Sequence, residues 1–203
     1  AALGKQAVAV ALCIVVMLGC FVGFGGAKVR AKYDTAKGWF STGVAADGGY
    51  TLNEELTTRL NTAANIITTA SNTLSADSAE VQTAQAALDS FSACLGAVQS
   101  DGRTHALDSL SAYTGGRMHM LYQSKEALGT AIGQLYAKLQ EQAADPMKMG
   151  AVQGPYSQFN SAQTILSNLH YNDAVQNYQI DVGGFPASVL GRLFGVQEVE
   201  LFA

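Results

Sequence analysis

Residues 7–27 read AVAVALCIVVMLGCFVGFGGA, 21 residues without one charged side chain. About 20 apolar residues in a helix cross the hydrocarbon core of a bilayer, whereas a core helix of a soluble domain rarely stays uncharged for so long. Such a segment is hidden in lipid, hidden against other protein, or removed. Lys5 precedes it, and Lys28, Arg30, Lys32 and Lys37 follow it. As a retained single-pass helix in the cell membrane, it would leave the basic cluster and the rest of the chain in the cytoplasm by the positive-inside rule. As a signal sequence it would be cut away; Met17-Leu18-Gly19-Cys20 resembles a lipoprotein cleavage box, with Met where Leu is preferred. The segment is expected to be retained, since a cleaved signal does not survive in a mature chain. As an assembly helix it would pack against its own copies in a filament or tube. Gly19 and Gly23 form a small-xxx-small pair that lets two helix backbones approach closely, although glycine is also simply frequent in membrane helices.

The remaining sequence, 28–203, carries helical periodicity throughout and no convincing strand. Residues 28–40 extend the first helix, and Gly43 with Ala45-Ala46-Asp47-Gly48-Gly49 breaks it. Thr51-Leu52-Asn53-Glu54 is a capping box. Behind it Leu52, Leu56, Leu60, Ala63, Ile67, Ala70 and Leu74 recur at spacings of three and four. Ser75 and Asp77 offer a break. Val81, Ala84, Leu88, Phe91, Leu95 and Val98 then form a second seam, stopped by Asp101 and Gly102. A short helix or connector is expected over 104–114. A helix over 117–144 follows, with Leu121, Leu128, Ile132, Leu135 and Leu139 on one face and Asp145-Pro146 as its stop. A loop is expected over 145–154, then a helix from Gly154-Pro155 to Gly183-Gly184 and a short apolar tail. The expected fold is all-α: the apolar helix, 1–27, then a long antiparallel bundle of about four helices.

The bundle has an unusual surface. Only 14% of residues are charged, against about 25% in a typical soluble protein. Ser, Thr, Asn and Gln fill the polar positions. A neutral surface is weakly self-repelling and favours contact between copies. It also suits an extracellular or cell-surface assembly that keeps its apolar helix, a localisation opposite to the one the basic cluster suggests. With 12 Lys and Arg against 16 Asp and Glu, the net charge is −4, and no basic stripe points to nucleic acid.

The C-terminal part resembles the LemA family. His170-Tyr171-Asn172-Asp173-Ala174-Val175-Gln176-Asn177-Tyr178-Gln179, Phe185-Pro186, Leu193-Phe194-Gly195 and Phe202 follow that family's Tyr-Asn-x-x-Val-x-x-Tyr-Asn helix, Phe-Pro turn, Phe-Gly-Phe element and closing aromatic. Gln179 replaces the second Asn, and Val196 the last Phe. Residues 59–67, RLNTAANII, resemble the family's Arg-x-Asp-Leu-Ile-Pro-Asn-Leu-Val without its Asp and Pro. The resemblance implies a single-pass anchor and a long antiparallel bundle; the family has no established enzymatic activity, and some relatives are tied to membrane organelle or envelope organisation. Tyr171, Val175 and Tyr178 share a helix face, and Asn172 is placed to bond a neighbouring helix or cap the tail.

No catalytic or metal-ligating pattern is present. His105, His119 and His170 have no recurring partners at ligand spacing. Met118 and Met120 diverge from His119 on a helix. Cys94 sits on an apolar face as a small hydrophobe, and Cys13 and Cys20 are too far apart to pair with each other. Trp39 is either an interface marker or a core anchor. The expected function is structural and cofactor-free: a self-associating scaffold or the subunit of a filament or tube, held to lipid through residues 7–27. The alternative is a membrane-anchored adaptor that recruits another protein through a bundle face.

Overall fold

The computed structural model describes residues 2–100, 116–142 and 146–203, with side chains from residue 8 onward apart from 146–148. The connector expected over 104–114, the Asp101-Gly102 stop and His105 lie outside these. Among the described residues every regular element is helical: α1 Ala2–Thr42, a 3-10 turn Ala45–Asp47, α2 Leu52–Leu74, α3 Ala79–Gln99, α4 Arg117–Gln142, α5 Pro146–Asn168, α6 Tyr171–Gly183 and α7 Ala187–Leu193. The chain divides into two units. The first is 1–38 with 173–199; the second is 39–172 with 200–203.

Helix α1 runs without a break for 41 residues, about 62 Å at 1.5 Å per residue. It stops at Gly43, whose φ of 74° is left-handed and whose N–H bonds the Trp39 carbonyl at 3.0 Å. A side chain at residue 43 would also strike the Tyr50 carbonyl oxygen, 2.7 Å from its Cβ. In the second unit the Thr51 hydroxyl accepts the Glu54 N–H at 3.0 Å and starts α2, the main-chain half of the capping box. The first seam ends at Ser75, whose φ of 84° turns the chain toward Ser78, the N-cap of α3.

Helices α2, α3, α4 and α5 pack on one another in this unit as a helical bundle. Leu56, Ile66, Phe91, Leu95, Leu121, Leu128, Ile132, Leu135, Leu139, Val152 and Phe159 are fully or almost fully buried there. The buried stripe of α2 is wider than the expected seam: Glu55, Arg59, Thr62 and Ile66 join it, while Leu60 and Leu74 are only half-buried.

Two expectations are corrected. The region 146–154 is not a loop: α5 begins at Pro146, where a missing N–H costs nothing, and passes through Pro155. Pro155 removes the bond to the Ala151 carbonyl, a cost of about 3 kcal/mol. Val152 and Phe159 are buried on either side of it, and the Tyr156 ring stacks on Tyr136 with centroids 3.7 Å apart. Burial of each large apolar side chain is worth about 1.5–3 kcal/mol, so packing outweighs the proline. Nor is the last long helix continuous. It breaks at Leu169-His170, where the buried Asp47 carboxylate accepts the His170 N–H at 3.0 Å and meets its Nδ1 at 2.7 Å. That carboxylate takes the donor that an unbroken helix would give to Leu166, and α6 starts afresh at Tyr171.

The Phe91 ring fills the interior of the bundle. Phe91→Ala is expected to lower unfolding stability by about 3–5 kcal/mol, read as a shifted denaturant midpoint of the helical signal; an unchanged midpoint contradicts the packing described.

Candidate membrane-facing and assembly surface

Across residues 8–24 the large apolar side chains of α1 are exposed, apart from the half-buried Val22. Val8, Leu12, Val15, Met17 and Leu18 are all more than half exposed, and Phe24 is 79% exposed. The most apolar 18-residue window of this helix has a mean hydropathy of 2.7 and is long enough to cross a membrane. Nothing lies within 4 Å of a Cβ built on Gly19 or Gly23, so both glycines present open backbone on that surface. Cys13 and Cys20 lie exposed on it as free thiols.

At the far end of the apolar segment the first unit closes around α1. Leu190 of α7 lies against Gly25, and Phe194 lies flat on Gly26: a Cβ at 26 would stand 2.0 Å from the Phe194 ring. Only glycine leaves room for that aromatic. Gly195 turns with a φ of 65°, and the Arg30 guanidinium donates to the Phe194 and Gly195 carbonyls at 3.3 and 3.4 Å. The Leu193-Phe194-Gly195 element is thus a seat on α1, which its sequence spacing did not reveal. Pro186 precedes α7 as its N-cap residue, and Phe185 is 88% exposed. Lys32 bridges to Asp181 at 2.6 Å, and a groove of 240 Å³ opens between Phe21, Gly25, Lys28, Val29, Lys32 and Leu190. Within the same unit the Tyr178 hydroxyl donates to the Gln197 carbonyl at 3.4 Å and Gln179 Nε2 to the Val199 carbonyl at 3.0 Å. Gln179, which departs from the LemA pattern, is therefore bound to the tail. Val175 is fully buried.

In the second unit the tail is held by side chains at the start of α6. Asn172 clamps Phe202 from both sides, Nδ2 donating to its carbonyl and Oδ1 accepting its N–H, each at 2.8 Å. The Tyr171 hydroxyl donates to the Glu200 carbonyl at 3.1 Å. The Glu200 carboxylate accepts the Met118 N–H at 2.9 Å, a negative charge at the N-terminus of α4. The Phe202 ring meets Tyr122 edge-on at 5.3 Å, and the ammonium of Lys125 lies 4.5 Å above the Tyr122 ring and 2.5 Å from Glu126. His119 bonds the backbone oxygen of Ala203 and, at 2.8 Å, Gln123.

The remaining polar groups are structural in their contacts. Arg59 lies buried with its guanidinium 3.8 Å above the Phe159 ring, donating to the Phe159 carbonyl at 3.2 Å. Burial pulls its pKa down to about 10, so it stays charged at neutral pH. Burial pushes the Cys94 thiol up, away from the reactive thiolate. Trp39 is half-buried and Phe40 buried. Among the described residues no group of three or more His, Cys, Asp or Glu side chains is arranged to hold a metal ion. No family model, curated protein or solved structure matches the chain.

Burial, helped by the Glu200 charge, pushes the Tyr171 phenol up to about 12, and burial raises Tyr178 as well. A raised phenol pKa stabilises the fold fully below the unfolded value near 10 and loses that contribution as pH climbs through 12. Ultraviolet titration is expected to show one tyrosinate signal, that of Tyr171, delayed to about pH 12, with tail release at the same pH. Tyr171→Phe should remove that delayed signal; if the substitution leaves the titration curve unchanged, the tail clamp is wrong.

Proposed function

We propose that this chain is a non-enzymatic structural protein that associates with itself and is held in a membrane as a single-pass protein through residues 7–27. The observation that carries this reading is the unpartnered apolar surface of α1 over residues 8–24. Ten large side chains lie exposed there, Val8, Val10, Leu12, Ile14, Val15, Val16, Met17, Leu18, Phe21 and Phe24. At about 1.5–3 kcal/mol for full burial of each, their exposure to water forgoes on the order of 10–20 kcal/mol, as much as the whole stability of an ordinary domain. Lipid or sister copies recover it.

The rest of the chain supports a scaffold outside the lipid. Its helices belong to a long antiparallel four-helix arrangement of LemA type, in line with the four residues that separate α2 from α3 and with the resemblance of residues 170–202 to that family. The surface hydroxyls are spent within their own helices: Thr68, Thr69, Thr83 and Ser90 each bond the carbonyl four residues back. A surface of satisfied hydroxyls and few charges loses little when a second copy covers it. Closed contacts would give an oligomer and open head-to-tail contacts a filament or tube. The basic residues after the span favour a cytoplasmic bundle.

Two variants separate anchoring from assembly. Removal of residues 1–24, which spares the Gly25 and Gly26 seats, is expected to yield a soluble helical protein that no longer assembles. Gly19→Leu with Gly23→Leu should leave the protein in the membrane and weaken its self-association, measured by cross-linking in bilayers. Full assembly by the truncated chain contradicts the proposal.

A further inference from the structure

The short helix α7 is apolar on two faces, and the fold uses only one. Leu190, 5% exposed, and Gly191 face α1 at Gly25 and Val29. On the flank beside that contact Val189 and Leu193, four residues apart on the helix, are 49% and 68% exposed, and Phe185 in the turn before α7 is more exposed still. The contact of Leu190 with Gly25 sets α7 beside the last turn of the uncharged segment. Phe21 and Phe24, on α1 within one turn of that contact, are exposed as well. One turn further along α1 the charges begin: Lys28, Arg30 and Lys32, with Arg192 on α7 itself.

We propose that α7 and the Phe185-Pro186 turn form a second membrane contact, an interfacial helix that inserts Phe185, Val189 and Leu193 into the lipid layer beside the end of the span. The inference rests on the reading of α1 as a membrane helix. Three observations choose lipid over other occupants. The groove lined by Phe21, Gly25, Pro186, Ala187 and Leu190 joins the start of α7 to the exposed apolar surface of α1. Its polar border holds Lys28 and Arg192 beside the pairs Arg30–Asp34 and Lys32–Asp181, and basic side chains next to a span are drawn to anionic headgroups. Three side chains also offer roughly 500 Å² at most, less than the ~800 Å² per partner of a stable protein interface. An apolar face with a basic rim lying in the interface plane is the pattern of monotopic helices. The double attachment ties the chain after α6 back to the bilayer and fixes the orientation of the first unit relative to it.

The test uses the full chain with Trp39→Phe, so that a single new tryptophan reports. Phe185→Trp, Val189→Trp and Leu193→Trp are compared with Phe21→Trp in the span and Ser167→Trp on the exposed face of α5. Each protein is reconstituted in phosphatidylcholine–phosphatidylglycerol vesicles whose acyl chains are brominated near the headgroup or near the bilayer centre. Phe185→Trp and Leu193→Trp are expected to emit blue-shifted light that shallow bromine quenches by about twofold or more, with weaker quenching by deep bromine. Ser167→Trp should be unaffected. Red-shifted, unquenched α7 reporters beside a quenched Phe21→Trp overturn the interfacial helix and leave the span standing. Blue-shifted but unquenched α7 reporters mean that protein covers the stripe, and also overturn it. An unquenched Phe21→Trp overturns the span and the interfacial helix together.

Discussion

The apolar surface of α1 is the constraint on which the other features turn. Along residues 8–24 its side chains are exposed within the first unit, so the chain itself buries little of this apolar surface. In the second unit α2 to α5 bury leucines, isoleucines and phenylalanines against one another. In the proposed reading hydrophobic free energy is satisfied twice over, once inside the bundle and once between α1 and lipid or sister copies. The division explains why α1 contacts its own chain closely at glycines. Gly25 and Gly26 receive Leu190 and Phe194 where the apolar stretch ends, and Gly19 and Gly23 are left bare.

The C-terminal tail, which forms no regular element beyond Phe194, is held by hydrogen bonds from side chains to backbone. Tyr178 and Gln179 hold Gln197 and Val199 in the first unit; Tyr171 and Asn172 hold Glu200 and Phe202 in the second. An extended strand without a neighbour leaves its N–H and C=O groups unpaired, and each buried unpaired group costs about 1–3 kcal/mol. The amide and phenol groups of α6 serve as the missing neighbour. Glu200 adds a structural charge by capping α4.

Much of this arrangement was legible in the sequence. The three-four spacing located α2, α3 and α4, Thr51 marked a true helix start, and Asn172 does cap the tail. What was not legible depended on contacts distant in sequence. Pro155 reads as a helix start, and only the burial of Val152 and Phe159 carries the helix past it. The Leu169-His170 break has no glycine or proline to announce it; its cause is Asp47, more than a hundred residues away. Arg59 stands outside the apolar seam read from the spacing of α2, yet it lies over Phe159 in the interior. The role of Phe194 could not be read from the Phe-Gly element, because the space it fills exists only where Gly26 faces it.

The claim that the uncharged stretch is shielded from water is tested most directly by its own two thiols. Cys13 and Cys20 lie exposed on α1, while Cys94 is buried in the bundle. Membranes bearing the full chain, opened so that both faces are accessible, are treated with a membrane-impermeant maleimide, and the labelled sites are mapped by mass spectrometry. Shielding in lipid or among sister helices predicts that Cys13 and Cys20 stay unlabelled until the membrane is dissolved and the chain denatured. Rapid labelling of both in intact membranes would contradict it.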